Sequence, residues 1–185
     1  MDIPLWSLVV ILYCISILCI IYVYIIAISF LSSVPYVPIN TKILNEVYWA
    51  LDIKDNDRIV DIGSGDGKVL RYFNKKNCNA KYTGIELSLP LTIFSKILSM
   101  NINNIRYINK DMFKVDFSEY NKAYMYLTTD IASEIFKKLV SEMPKGSIIV
   151  STEFKYSDEI MDRYNIEKQS IKIDNKIHNI YIFRL

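Results

Sequence analysis

Histidine, cysteine and glycine are all scarce in this 185-residue chain, and each scarcity excludes something. A single histidine, His178, rules out metal sites built from histidine clusters and leaves any imidazole chemistry to one residue near the C-terminus. Three cysteines, Cys14, Cys19 and Cys78, give neither a disulfide framework nor metal-ligand spacing, which fits a reducing compartment. Charge is nearly balanced at +2, so the bulk composition asks for no nucleic-acid partner. Of only five glycines, three stand at alternate positions 63, 65 and 67. Charge itself is missing from one long stretch, since no Asp, Glu, Lys or Arg occurs between Asp2 and Lys42.

That uncharged stretch contains Leu5 to Leu31, an unbroken apolar run longer than the roughly 20 residues needed to cross a bilayer. A cleaved signal peptide is disfavoured, because a basic leader and a small-residue cleavage site are lacking and the apolar run is too long. The expectation is one transmembrane helix within an anchor at 1–34. Only Asp2 precedes it, whereas Lys42, Lys54, Arg58 and Lys68 follow, so the remainder should lie in the cytosol. Pro35 and Pro38 stop helix continuation, which makes 35–40 an extended connector and 41–185 the catalytic-size domain.

Within that domain, Asn40 or Thr41 can cap a short helix whose apolar stripe is Ile43, Leu44, Val47, Tyr48 and Leu51. Strand-like runs follow at Arg58–Ile62, Lys81–Glu86, Ile105–Asn109, Ala123–Leu127 and Ile148–Glu153, with helical patterns between them. Ser88 with Pro90 opens the helix after the second strand, and Ile135, Phe136, Leu139 and Val140 mark the core face of the one after the fourth. Two final β-rich runs flank Asp174-Asn175-Lys176 and read as an antiparallel hairpin. The expected fold is therefore α/β: a doubly wound, Rossmann-like sheet, mostly parallel, ending in an antiparallel hairpin.

Chemistry concentrates at the ends of these strands. Asp61-Ile-Gly63-Ser64-Gly65-Asp-Gly67 joins the first strand to a helix, the place where glycines allow a sharp turn and close approach to a ligand. Counted from Gly63, the last position of a G-x-G-x-x-G dinucleotide fingerprint is Lys68, so that pattern fails. An acid ending the strand favours a ligand bearing positive charge and disfavours a pyrophosphate. S-adenosylmethionine, with a sulfonium and an ammonium, suits it. Glu86 ends the second strand where a carboxylate can accept ribose hydroxyls. Asp111 and Met112, after the third, can take an adenine amino group and pack on its ring, or equally cap a helix and fill core. Asp66 complements the dipole of the helix that follows.

The succession Asp61–Gly67, Glu86 and Asp111 resembles the class I, seven-β-strand methyltransferases across Thr41–Leu185. A closer likeness is to the membrane-anchored protein-lysine methyltransferases, the group containing the enzyme that trimethylates a lysine of the ATP synthase c-subunit. It rests on the apolar span, on Pro35-Tyr-Val-Pro38, on Asp61–Gly67, on Tyr126-Leu127, and on Ser151-Thr-Glu153-Phe154. The resemblance implies S-adenosylmethionine as methyl donor, bound by Asp61, Gly63, Ser64, Gly65, Gly67, Glu86, Asp111 and Met112, and no metal. It implies a lysine acceptor on a protein at or near the membrane, with Tyr126 and Glu153 as candidates to orient the amine. Two departures concern the acceptor: no Asn/Asp-Pro-Pro-Tyr tetrad follows the fourth strand, and Thr128-Thr129 stands where that group tends to have Leu-Pro after Tyr-Leu. A small amphiphile as acceptor, or a non-catalytic cofactor-binding membrane module, are the other readings.

Overall fold

A computed structural model of the chain describes residues 4–31 and 39–185. The chain divides into two compact units, Met1–Val37 and Pro38–Leu185. In the first, helix α1 (Leu5–Leu31) runs for 27 residues with no acidic residue in its first turn and no basic residue in its last. Its Trp6–Tyr24 stretch has a mean hydropathy of 2.6, and none of that stretch is buried in the protein. An α-helix that is apolar all round and uncovered has no amphipathic stripe by which to join a soluble core. The connector residues Tyr36 and Pro38 lie outside the described residues.

In the second unit, a single turn of 3-10 helix at Thr41–Ile43 leads directly into α2 (Leu44–Leu51), and Asn40 caps it by accepting from the Lys42 N–H at 3.1 Å. All five residues of the expected apolar stripe are buried. The remaining elements are β1 (Arg58–Ile62), α3 (Lys68–Lys76), β2 (Lys81–Glu86), α4 (Leu89–Leu98), β3 (Ile105–Asn109), β4 (Lys122–Met125), α5 (Thr129–Glu142), β5 (Ile148–Thr152), α6 (Asp158–Arg163), β6 (Glu167–Ile173) and β7 (Lys176–Arg184).

The seven strands form one mixed sheet in the order β3-β2-β1-β4-β5-β7-β6. Strands β1 to β5 are parallel, and β7 runs antiparallel between β5 and β6. The central strands carry β-branched and aromatic residues buried on both faces, as a parallel sheet sandwiched by helices requires: Ile59, Val60, Ile62, Tyr124, Ile149 and Val150. The β6–β7 connection is a two-residue turn, Asp174-Asn175, both at positive φ, a conformation that Asp and Asn tolerate and that matches strand twist.

Strand β4 begins one residue earlier than the sequence suggests. Lys122 joins the ladder and is buried beside Asp57, with its ammonium 4.0 Å from the carboxylate. It ends at Met125, so Tyr126 and Leu127 belong to the loop into α5.

Strand order reverses direction between β1 and β4, because the chain builds outward from β1 through β2 and β3 before returning. Ligands of open α/β sheets bind beyond the carboxyl ends of strands at such a switch point. Register places those ends side by side, with Ile62 opposite both Ile85 and Met125, Glu86 opposite Asn109, and Met125 opposite Ser151.

Candidate functional site

The rim over the switch point is built from the loops after β1, β2, β4 and β5. After β1, the chain turns through Gly63, Gly65 and Gly67, at φ +77°, +54° and +76°. The N–H groups of Gly63 and Ser64 both donate to the Ile85 carbonyl, at 2.9 and 3.0 Å, which ties the loop to the end of β2. At Gly67 a second constraint applies: a Cβ there would lie 2.2 Å from the Tyr107 hydroxyl of β3. Gly84 is held to glycine likewise, since a Cβ would meet Ser64 Oγ and Tyr107 Cδ1 at 2.6 Å. The Tyr107 phenol thus braces the loop from behind, bonded to Ser99 Oγ at 3.0 Å.

The site's polarity is set by three carboxylates. Asp61 is only 2 % exposed, and its Oδ2 is buried with no hydrogen-bond partner. Burial first, and then the nearby Glu86 and Asp66 carboxylates, push its carboxyl up to about 8. Glu86 uses both oxygens on the loops around it, accepting the Gly65 N–H through Oε2 at 2.9 Å and the Ser88 N–H through Oε1 at 2.8 Å. Asp66 accepts the Lys68 N–H at 3.0 Å at the start of α3, the dipole-complementing place expected of it, and pairs with Arg71 at 3.9 Å.

Those contacts decide which ligand charge the loop suits. Gly67 donates to the Ser64 carbonyl and Lys68 to Asp66, so these two amides at the start of α3 are engaged locally rather than presented to an anion. An unpartnered buried carboxyl beside two further acids is a site awaiting positive charge. Ser64 Oγ, also buried without a partner, adds an unspent hydroxyl at the same loop.

Asn109 fixes the next part of the rim, donating from its amide to the carbonyls of Glu86 and Leu87 at 2.9 and 2.8 Å. Asp111 and Met112 therefore follow closely on Glu86. Asp111 accepts the Phe113 N–H at 3.0 Å and caps the 3-10 turn Met112–Lys114, with Met112 half-buried. Across the switch point, Tyr126 packs its ring on Phe154, with centroids 5.7 Å apart. Burial and then the Glu153 carboxylate hold its phenol above the usual tyrosine range.

Glu153 sits just past β5 at φ +68°, where the Phe154 N–H reaches back to the Thr152 carbonyl at 2.9 Å. A non-glycine residue in this region costs about 1 kcal/mol or more. The side chain it aims meets His178, whose Nδ1 lies 2.5 Å from Glu153 Oε1. Sequence reading placed His178 only near the C-terminus. The findable signal was the hairpin register: Thr152 pairs with Ile180, so the start of antiparallel β7 reaches the same rim as the end of β5. Among the described residues, no group of three or more His, Cys, Asp or Glu side chains is placed to hold a metal ion.

The family model described as the ANTKMT methyltransferase domain matches residues 61–162, from the acid of the glycine loop to α6. A protein-lysine N-methyltransferase of Saccharolobus islandicus is 26% identical over 161 residues, covering 84% of this chain and 96% of its own. The lysine N-methyltransferase of the ATP synthase c-subunit from Caenorhabditis elegans is 27% identical over 160 residues, covering 82% and 80%. Among solved structures, an RNA methyltransferase from Salinibacter ruber in complex with S-adenosyl-L-homocysteine superposes with a TM-score of 0.70 at 20% identity, covering 80% of this chain and 93% of that one.

Proposed function

The chain belongs to the ANTKMT methyltransferase family, and from that premise we propose that it methylates a lysine side chain of a membrane or membrane-associated protein. It is an S-adenosylmethionine-dependent methyltransferase. The observation that carries the cofactor assignment is the acidic cradle after β1. Asp61, with its buried unpartnered oxygen, faces the ligand's positive charge, while the glycine turn admits its backbone-close approach. Glu86 meets the ribose, exchanging or sharing the hydrogen bonds it now makes to Gly65 and Ser88. Asp111 and Met112 stand beside Glu86 for the adenine.

When bound, the cofactor would supply a methyl carbon on a sulfonium, open to in-line attack by a neutral amine, with the neutral thioether of S-adenosylhomocysteine as leaving group. The protein's own work is then to orient the amine, strip its water and hold it close to the methyl group. Tyr126 and Glu153 stand across the switch point from the cradle, an aromatic face and a carboxylate suited to an ammonium. The lysine reading is supported by the two relatives from Saccharolobus islandicus and Caenorhabditis elegans, both described as lysine N-methyltransferases.

Membrane anchoring is the second part of the proposal, with 1–34 as anchor, 35–40 as connector and 41–185 as the cytosolic methyltransferase domain. Helix α1 supports it by length, composition and lack of burial. So does α4, which leaves Leu89, Ile93, Phe94 and Ile97 exposed. No acidic residue occurs between Leu87 and Lys110, while Lys96, Arg106 and Lys110 do, a composition suited to an anionic lipid surface.

The test is transfer of labelled methyl from S-adenosylmethionine into membranes of cells lacking the gene, followed by separation of protein from lipid extract. Label in protein, lost by mild proteolysis and not by solvent extraction, supports the reading. Label confined to the lipid extract transfers the assignment to a small amphiphile, and no label at all leaves a binding module.

A further inference from the structure

Two facts about the β5–β7 rim have no role in cofactor binding. Glu153 adopts a backbone conformation that non-glycine residues avoid, and the chain's single histidine is spent on it. The Glu153 N–H donates to the Asn179 carbonyl at 2.9 Å, so the strained residue is locked to the strand that carries His178. His178 itself is 9 % exposed, and its other nitrogen, Nε2, is buried with no hydrogen-bond partner. Glu153 remains partly exposed, with 29 % of its side chain accessible. Among the described residues only its Oε1 is engaged, by His178.

These burials fix the tautomer. A buried N–H with no acceptor costs more than a buried lone pair with no donor, because the former is a strong donor wholly removed from water. The proton of a neutral His178 therefore sits on Nδ1, where it donates to Glu153, and Nε2 keeps its lone pair. The imidazole acts as a fixed donor on one carboxylate oxygen and leaves the other, Oε2, without a hydrogen-bond partner among the described residues, on a side chain that stays partly exposed. The arrangement resembles the way a second group orients a functional side chain elsewhere in enzymes: the buried partner sets the angle, and the exposed atom meets the substrate.

We propose that His178 is a positioning residue for methyl transfer, aiming the Glu153 carboxylate so that Oε2 receives the ammonium of the acceptor lysine, which gives one proton to solvent before its lone pair attacks the methyl carbon. The inference rests on the lysine reading above, and it makes Glu153 the residue in contact with substrate and His178 the residue acting through it. The strain at Glu153 has the same explanation. An extended residue there would continue β5 and carry its side chain along the sheet, whereas the left-handed turn throws the carboxylate across to β7.

Because the chain has one histidine, nitrogen NMR of the ¹⁵N-histidine-labelled full chain in lipid nanodiscs reads this residue alone. In the neutral ring a protonated Nδ1 with an unprotonated Nε2 is expected, and the Glu153→Ala variant should release that ring toward the Nε2–H form that free imidazole prefers. Finding the Nε2–H tautomer in the neutral ring of the unaltered protein overturns the proposal. Turnover gives the second arm, using labelled S-adenosylmethionine and membranes from cells lacking the gene. His178→Phe, which keeps the ring and removes the donor, should lower kcat by about tenfold or more while the S-adenosylmethionine Kd stays within about twofold. His178→Asn, which restores an N–H near the Nδ1 position, should regain most of the loss.

The Glu153→Gln/His178→Phe double variant should be no slower than Glu153→Gln alone, since a residue acting only through another adds nothing once that other is gone. Additive losses overturn the proposal, because a purely structural histidine would produce them. If Glu153→Gln keeps full turnover, the carboxylate does not meet the acceptor and the inference falls while the cofactor assignment stands. If the label enters lipid yet the coupling between the two residues persists, the lysine reading falls and the positioning role of His178 survives it.

Discussion

Replacing Asp61 by asparagine separates the fold's need for this residue from the ligand's. In the ligand-free protein its carboxyl is pushed up to about 8, first by burial and then by Glu86 and Asp66. At pH 7 it is therefore mostly protonated, and asparagine is a neutral group of the same shape, so the variant should be within about 1 kcal/mol of the unaltered protein near pH 4 and more stable than it at pH 7. The pH dependence has a definite sign. The folded value lies above the ordinary 3.8, so the folded state holds a proton that the unfolded chain releases, and stability is lost as pH rises from about 4 to about 8. Between pH 6 and 8 this amounts to about 2 kcal/mol in the unaltered protein, a slope the variant should lack.

Binding behaves in the opposite direction. A hydrogen bond from the ligand's ammonium to the ionised carboxylate is worth about 1.5–3 kcal/mol, but near pH 7 about 1.4 kcal/mol goes to expelling the proton. The variant should thus bind S-adenosylmethionine up to about fifteenfold more weakly at pH 7, the loss growing as pH rises to 8. Calorimetry of the full chain in two buffers of different ionisation enthalpy reads both the affinity and the proton released. An unchanged Kd in Asp61→Asn, together with an unchanged pH slope of thermal stability, would refute the reasoning.

Glu86→Ala should lose about 1.5–3 kcal/mol of S-adenosylmethionine affinity and also lower Tm, because the carboxylate holds the Gly65 and Ser88 amides in the free protein. Gly67→Ala should destabilise the domain by about 2 kcal/mol or more in denaturant titration, since the new methyl group would lie 2.2 Å from the Tyr107 hydroxyl at a left-handed φ of +76°. Cys78 is exposed on the second unit, so a membrane-impermeant maleimide should leave it unmodified in intact cells and label it once the membrane is opened. Labelling from outside would reverse the proposed topology.

Much of this architecture was legible because local pattern and tertiary demand agree. Arg58–Ile62, Lys81–Glu86 and Ile105–Asn109 are strands in both sequence and structure, each bounded by turn residues and alternating with helical stripes. Strand β4 was misjudged by one residue at its start because Lys122 reads as solvated, whereas a pairing with Asp57 lets it be buried. The end of β5 was overrun because nothing in Ser151-Thr152-Glu153 announces a left-handed residue.

The cofactor loop showed itself through glycines at alternate positions, a property of contiguous residues. Tyr107 as its brace and His178 as the partner of Glu153 did not, since each depends on strands far apart in sequence arriving at one place. The acidity of Asp61 is of that kind too, being set by its burial and by Glu86 and Asp66.

That this methyltransferase acts on a lysine of a protein in or on the membrane can be read by mass spectrometry of membrane proteins from cells with and without the gene. At least one lysine should carry methyl groups in the first and not in the second, restored by the unaltered gene and not by one encoding Gly65→Val. If every lysine keeps its methylation while a lipid or other small amphiphile loses a methyl group, the claim is wrong.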